Sequence, residues 1–480
     1  MDKPAAALAE LEPVITASRM RLTALIIATA LFMQTVDSSI MATALPAIAR
    51  SFGIPPLHMS VTLTSYLISL SVFIPASGWV ADRFGSRQVF RAAIIIFTVA
   101  SALCGLAPSL WFLVASRVLQ GMGGAMMVPV GRLVLLRSVS KIQMISAMSW
   151  LTVPALLGPV LGPVLGGFIV TYFSWHWVFD INIPIGIIGV AAVTVFIPDI
   201  READRGGRLD AAGLVLSGLA IAALMAAFET IGRDLVPLSW TLIALAIGVG
   251  SSIIYTLHAS RHPHPVLDFS LLAIPTYGRS ILAGSLFRVA IGAFPFLLPM
   301  MLQIGFGKSP LQSGLVTFAA GIGAIGMKPA VQPLIRRFGF RATMMINGAL
   351  SSFSLMLCAF FSPAWPGLLM SALLLVGGFF RSLQFTAFNT IAYSDIPRAR
   401  MAAATSLYAT IQQLTLTLGI VIGAAVLEAS VALHHHGSAK PADFAIAFIL
   451  VGLISALAIP VCATLATDAG ESISGHHKIN

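Results

Sequence analysis

Charge is scarce in this sequence. Only 10% of its 480 residues are Asp, Glu, Lys or Arg, whereas 58% are hydrophobic and the mean hydropathy is +0.93. Soluble domains carry about 25% charged residues, so a soluble globular protein is excluded. Cysteine is rarer still: Cys104, Cys358 and Cys462 all lie inside apolar runs, and no disulfide framework is expected. No glycine-rich phosphate loop ending in Lys and Ser or Thr occurs, so ATP is not expected to drive the protein, and no cofactor is implied. Catalytic groups do not cluster near a membrane interface, and no enzymatic activity is expected. No metal site is expected either. His434, His435 and His436 have no acid or cysteine nearby to complete a ligand set, and His258, His262 and His264 fall in a linker; both groups read as solvated loops. The first 21 residues mix acids and bases and lack a small-residue cleavage site, so they read as a tail rather than a signal peptide.

Long uncharged runs such as "LTALIIATALFMQTV" and "AAIIIFTVASALCGLA" fill the rest. Each full run reaches the roughly 20 residues that carry a helix across ~30 Å of hydrocarbon. Fourteen such spans start near residues 22, 59, 88, 109, 142, 178, 209, 238, 276, 310, 340, 364, 400 and 443. The formal charge of +10 does not imply a nucleic-acid partner, because its distribution has another cause. With the N-terminus inside, only Arg50, Arg233, Lys308 and Lys440 fall in outer loops, and most of the 28 Lys and Arg lie on the inner side. That is the positive-inside asymmetry, and it places both termini in the cytoplasm. The expected protein is an all-α, multi-pass, monomeric resident of the lipid bilayer.

The chain resembles itself. "DRFGSR" at 82–87 recurs as "RRFGFR" at 336–341, 254 positions on, and at about the same offset Cys104 falls on Cys358 and "LQGMGG" faces "LVGGFF". A duplicated six-helix unit is the common plan of secondary transporters. The expected division is a tail at 1–21, a six-helix bundle at 22–198, a linker with two extra spans at 199–275, a second bundle at 276–466 and a tail at 467–480. At one position the copies differ informatively: Asp82 aligns with Arg336.

Several stretches resemble signatures of the major facilitator superfamily, and in particular its fourteen-helix drug:proton antiporters. "GWVADRFGSR" is similar to the loop between helices 2 and 3, through Gly78, Asp82, Arg83, Gly85 and Arg87. "LVASRVLQGMGGA" is similar to the helix 4 signature through Arg117, Gln120, Gly121, Gly123 and Ala125. "LLGPVLGPVLGG" resembles the helix 5 antiporter signature through Gly158, Pro159, Gly162, Pro163, Gly166 and Gly167. "VDSSIMATALP" and "SWHWVFDINIPIG" resemble the helix 1 and helix 5–6 signatures, the latter with Asp180 where an apolar residue is commoner. The resemblance implies two six-helix bundles plus two extra helices, a bacterial inner-membrane location and proton-coupled export of small amphiphilic compounds by alternating access, with the proton gradient as energy source. It also implies that the 78–87 stretch is a cytoplasmic latch. Read physically, Asp82 can accept from the exposed N–H groups that begin helix 13, near Met401–Thr405. The small residues of helices 5 and 10 are expected to meet across the two bundles.

Ionisable groups deep in a membrane span are costly and by default functional. Asp37 lies about 15 residues into the first span, ~22 Å from its inner end, and Arg117 about eight residues into the fourth, ~12 Å from its outer end. Their heights match to within a few ångströms in a ~30 Å slab, so Asp37 is the expected proton carrier and Arg117 its partner. Gln34, Arg288, Arg381, Gln384, Phe388, Asn389, Tyr408 and Gln412 are the expected cavity lining, whereas Lys328 and Arg132 are expected to snorkel toward the inner surface. The arginines also support an alternative, export of small organic anions or metal-chelate metabolites. A membrane sensor without transport is a third reading.

Overall fold

A computed structural model describes residues 17–53, 60–139, 143–197, 210–230, 237–263, 265–308, 310–434 and 439–474. Residues 1–16 and 475–480 of the expected tails, together with His264, His435 and His436, lie outside them. Hydrocarbon offers the backbone no hydrogen bonds, so only helices and closed barrels span it. Among the described residues every regular element is helical. The rods are α1 (Ala17–Phe52), α2 (Ser60–Phe73, Ile74–Ala76 and Ser77–Phe84), α3 (Ser86–Gly105), α4 (Leu110–Ser138), α5 (Met144–Tyr172), α6 (Trp177–Phe196), α7 (Ala211–Thr230) and α8 (Leu238–Ala259). There follow α9 (Pro275–Gly305), α10 (Pro310–Gly326 with 328–338), α11 (340–357 and Cys358–Phe360), α12 (Gly367–Ile391), α13 (Met401–Leu433) and α14 (Pro441–Ala463). Among the described residues eleven helices are long and apolar enough to cross a membrane. The rods α2, α5 and α10 are consistent with the expected count of fourteen.

Helix ends carry local reasons. Ser109 Oγ accepts from Phe112 N–H at the start of α4, and Asp443 Oδ2 accepts from Lys440 N–H before α14, with Pro441 in the first turn. Gly85 (φ 90°) and Gly339 (φ 74°) make the tight turns between α2 and α3 and between α10 and α11. Positive φ is open to glycine at little cost, which is why both copies of the repeated hexapeptide keep one there.

The packing repeats with the sequence. In the first bundle α1 packs on α5, α2 on α4, α3 on α4 and α6, and α1 on α6. In the second, α9 packs on α13, α10 on α12, α11 on α12 and α14, and α9 on α14. Each contact of one set has its counterpart eight helices later. The bundles meet through α2 and α4 against α13, and through α5 against α10 and α12, while α7 leans on α2 and α13.

Helices α5 and α10 therefore do meet across the bundles, but their glycines serve a different contact from the one expected. A Cβ on Gly158 would lie 2.1 Å from Thr35 Oγ1, and one on Gly162 would lie 2.3 Å from Ser39 Oγ, both in α1. A Cβ on Gly323 would lie 1.9 Å from Leu375 O in α12. The small faces bring helices together inside each bundle, where backbone approach is closest. Gly419 plays the matching part in the second bundle, its would-be Cβ 2.1 Å from Val289 O of α9. Pro159, Pro163, Gly166 and Gly167 lie on the same helix, α5, which continues unbroken through them.

Candidate functional site

α1 and α4 bring Asp37 and Arg117 together at depth. Arg117 Nη1 donates to Asp37 Oδ2 at 2.6 Å, and both side chains are 0% exposed. The carboxylate's other oxygen accepts from Gln120 Nε2 and from Asn182 Nδ2, each at 2.9 Å. Arg117 Nη1 also donates to Gln120 Oε1 at 2.7 Å and its Nε to Thr62 O at 3.3 Å, while the Tyr66 ring lies 4.4 Å from the guanidinium. Asn182 is held by Ser101, whose hydroxyl in turn donates to Phe179 O. This closed set comes from α1, α2, α3, α4 and α6, so it sits inside the first bundle rather than between the bundles. Isolated in hydrocarbon, either charge would be expensive; paired and bonded on both oxygens, the carboxylate is compensated.

A second cluster joins the halves. Arg132 was expected to reach for the surface. It is buried instead, donating to Tyr393 Oη at 3.1 Å and Gln412 Oε1 at 3.3 Å, with its guanidinium 5.1 Å from the Tyr408 ring. Arg288 approaches the same ring at 4.7 Å and donates to the Tyr408 hydroxyl. One tyrosine is thus flanked by an arginine from each bundle. The physical reason is position: Arg132 finds a phenol and an amide of the opposite bundle within reach, whereas Arg288 finds the Tyr408 hydroxyl within its own bundle. Lys328 also departs from expectation, buried with its Nζ donating to Thr386 Oγ1 at 2.9 Å.

The remaining polar residues of the second bundle are placed separately. Arg381 is buried over the Phe294 ring at 4.1 Å, and neither Nη1 nor Nη2 has a hydrogen-bond partner. Gln384 turns toward α11, accepting from Asn347 Nδ2 at 2.8 Å and donating to Met344 O at 3.1 Å. Phe388 packs on Phe287 with ring centres 5.7 Å apart, and Asn389 Nδ2 donates to Phe385 O. Gln34 lies beside Gly124 and Tyr66 in the first bundle. Among the described residues none of Arg132, Arg288 and Arg381 pairs with a carboxylate.

At the turn end of the bundle Asp82 Oδ1 accepts from Arg137 at 2.8 Å, an ion pair within the first bundle. Neutral groups also join α2 to α13: Ser406 Oγ donates to Ile74 O and Pro75 O at 3.1 and 2.8 Å, and a Cβ on Gly78 would lie 2.8 Å from Ala402 O. Pro75 lies in the 3-10 turn Ile74–Ala76 that interrupts α2, and a serine of the opposite bundle donates to two carbonyls of that turn. Arg83 is exposed, and Arg87 donates to Thr194 O at the end of α6.

Two bundles with one repeated packing scheme and an ion pair sealed at membrane depth define a secondary-transporter architecture. The chain matches the model of the Major Facilitator Superfamily over residues 27–419 and 281–475, and it belongs to that family. It is 39% identical over 406 residues to a relative named as a multidrug resistance protein, MdtD, from Salmonella paratyphi B and from Salmonella typhimurium, covering 84% of this chain and 85% of the relative. Its fold is similar to that of the human organic anion transporter MFSD10, with TM-score 0.65 and 15% identity over 92% of this chain and 99% of the other. It is also similar to the proton:xylose symporter XylE, with TM-score 0.63 and 15% identity over 93% and 95%. The chain is a multi-pass membrane transporter.

Asn182 and Tyr393 were not singled out from sequence. Asn182 had a usable signal, since an amide within an apolar run needs a partner. Tyr393 had none, because its role depends on where the other bundle lies.

Proposed function

We propose that this transporter is a proton-driven exporter of small amphiphilic compounds, working by alternating access from the cytoplasm of a bacterial inner membrane. The observation that carries the reading is the Asp37 carboxylate, fully buried beside Arg117 with three donors around it. Its partners all lie in the first bundle, so the reading requires that bundle's own helices to rearrange between the two access states. The relation to MdtD supports drug-like substrates. The positive-inside asymmetry supports an inward-facing Gly85–Gly339 end, which Ser406, Gly78 and Arg132 hold shut. The test is pH-gradient-driven substrate movement in proteoliposomes. Asp37→Asn should remove uphill transport in protein that still elutes as a folded species, and Asp37→Asn/Arg117→Met, which strands no charge, should remove it too; uphill transport by either variant would overturn the coupling.

One observation favours a second substrate reading. Among the described residues Arg132, Arg288 and Arg381 are buried without a carboxylate, and a substrate anion would supply the missing charge. Arg288→Ala and Arg381→Ala should then abolish anion export and spare a cationic dye. Equal loss of both would leave the amphiphile reading standing.

A further inference from the structure

Asp210, His258 and His262 meet at one end of the α7–α8 pair, away from every group used above. Asp210 directly precedes α7, where its Oδ1 accepts from Gly213 N–H and faces His258 Nε2, both at 2.8 Å. Its Oδ2 is buried and has no hydrogen-bond partner, and the residue as a whole is 5% exposed. A carboxylate oxygen buried without a donor is costly, so something beyond the cap and the His258 contact is needed to account for it. The space around it is kept by glycine: a Cβ on Gly213 would lie 2.0 Å from Oδ2. His258 closes α8 and His262 follows one helical turn later, its N–H donating to His258 O at 3.0 Å. The two imidazole rings lie 5.3 Å apart at 27°, and the three candidate ligand atoms lie within 4.8 Å of one another.

We infer that Asp210, His258 and His262 form a binding site for one divalent transition-metal ion of the zinc class, joining the start of α7 to the end of α8. Two imidazoles and one carboxylate suit zinc, cobalt or nickel and are a poor set for magnesium or calcium. Zinc–ligand bonds of about 2.0–2.1 Å put tetrahedral donors roughly 3.4 Å apart, which small side-chain rotations reach from the present arrangement. Three protein ligands leave the fourth position to water. Because α7 leans on α2 and α13, the ion fixes the extra helix pair where it touches both bundles.

The test uses the full-length, tag-free protein in detergent, stripped by a chelator and titrated with ZnCl2 by calorimetry. The expected result is one tight ion per chain. Asp210→Asn and His258→Ala/His262→Ala should each weaken it at least about 10-fold, the smaller end of what loss of even an outer-shell partner costs. Loading with Co2+ should give the strong visible bands of a four-coordinate site, absent from the same variants. His434→Ala/His435→Ala/His436→Ala should bind as the wild type does. Should the double variant fail to elute as a folded species, His262→Ala alone replaces it, because that side chain is half-buried and outside the helix. Absence of stoichiometric binding, or tight binding that survives loss of both histidines, would overturn the site.

Discussion

Asp37 and Arg117, 80 positions apart in sequence, meet at 2.6 Å with neither side chain reached by solvent. Removing one member of such a pair strands the other, at a cost of about 3–5 kcal/mol. Arg117→Ala should therefore lower the melting temperature in detergent sharply. Asp37→Asn/Arg117→Met should recover most of that loss, since the amide still meets Gln120 and Asn182 and no charge remains. Melting curves for the two variants check this, and an Arg117→Ala protein as stable as the wild type would show that the pair is not energetically isolated.

The closest helix contacts predict a graded response to added methyl groups. A Cβ on Gly419 would meet the backbone oxygen of Val289 at 2.1 Å, whereas one on Gly189 would lie 3.7 Å from the Ile94 side chain, an ordinary contact. Backbone cannot rotate aside. Overpacking costs about 1–3 kcal/mol, so Gly419→Ala should destabilise more than Gly189→Ala, and leucine at Gly419 or Gly162 should abolish transport. Paired thermal melts and proteoliposome assays measure both effects.

Outside the membrane spans, Asp268 ties the segment before α9 to the start of α13, accepting from Arg400 at 2.6 Å and from Ser270 N–H at 3.0 Å. Burial pushes its pKa up, but the Ser270 hydroxyl, Arg400 and the backbone N–H together hold it below the ordinary value of 3.8. A carboxyl depressed in the folded state stabilises fully above pH 3.8, and that contribution disappears as pH falls through the lower, folded value. Asp268→Asn should thus melt below the wild type at pH 7 by the modest amount of a half-exposed pair, at most ~1 kcal/mol. The difference should close below pH 3.8. A gap that persisted at low pH would assign the loss to packing instead.

The fold was largely readable in one dimension. Apolar runs of membrane length, the hexapeptide repeated at an offset of 254 and the paired glycines at 85 and 339 follow from local chemistry alone, because hydrocarbon forces helices and positive φ selects glycine. The depth of Asp37 and Arg117 was readable too, as helical rise converts residue number into height. Direction around each helix was harder. Gly158 and Gly162 could have faced either neighbour, and they face α1.

What the sequence by itself determined is the class of protein, the duplication and the matching heights of Asp37 and Arg117. Tertiary structure alone decided the partners: Asp82 with Arg137, Arg132 with Tyr393 of the other bundle, Asn182 with Asp37, and Asp210 with two histidines 48 and more positions downstream. Height is a property of one helix. Partnership depends on the rotation and spacing of at least two, and those are set by close packing over many residues at once.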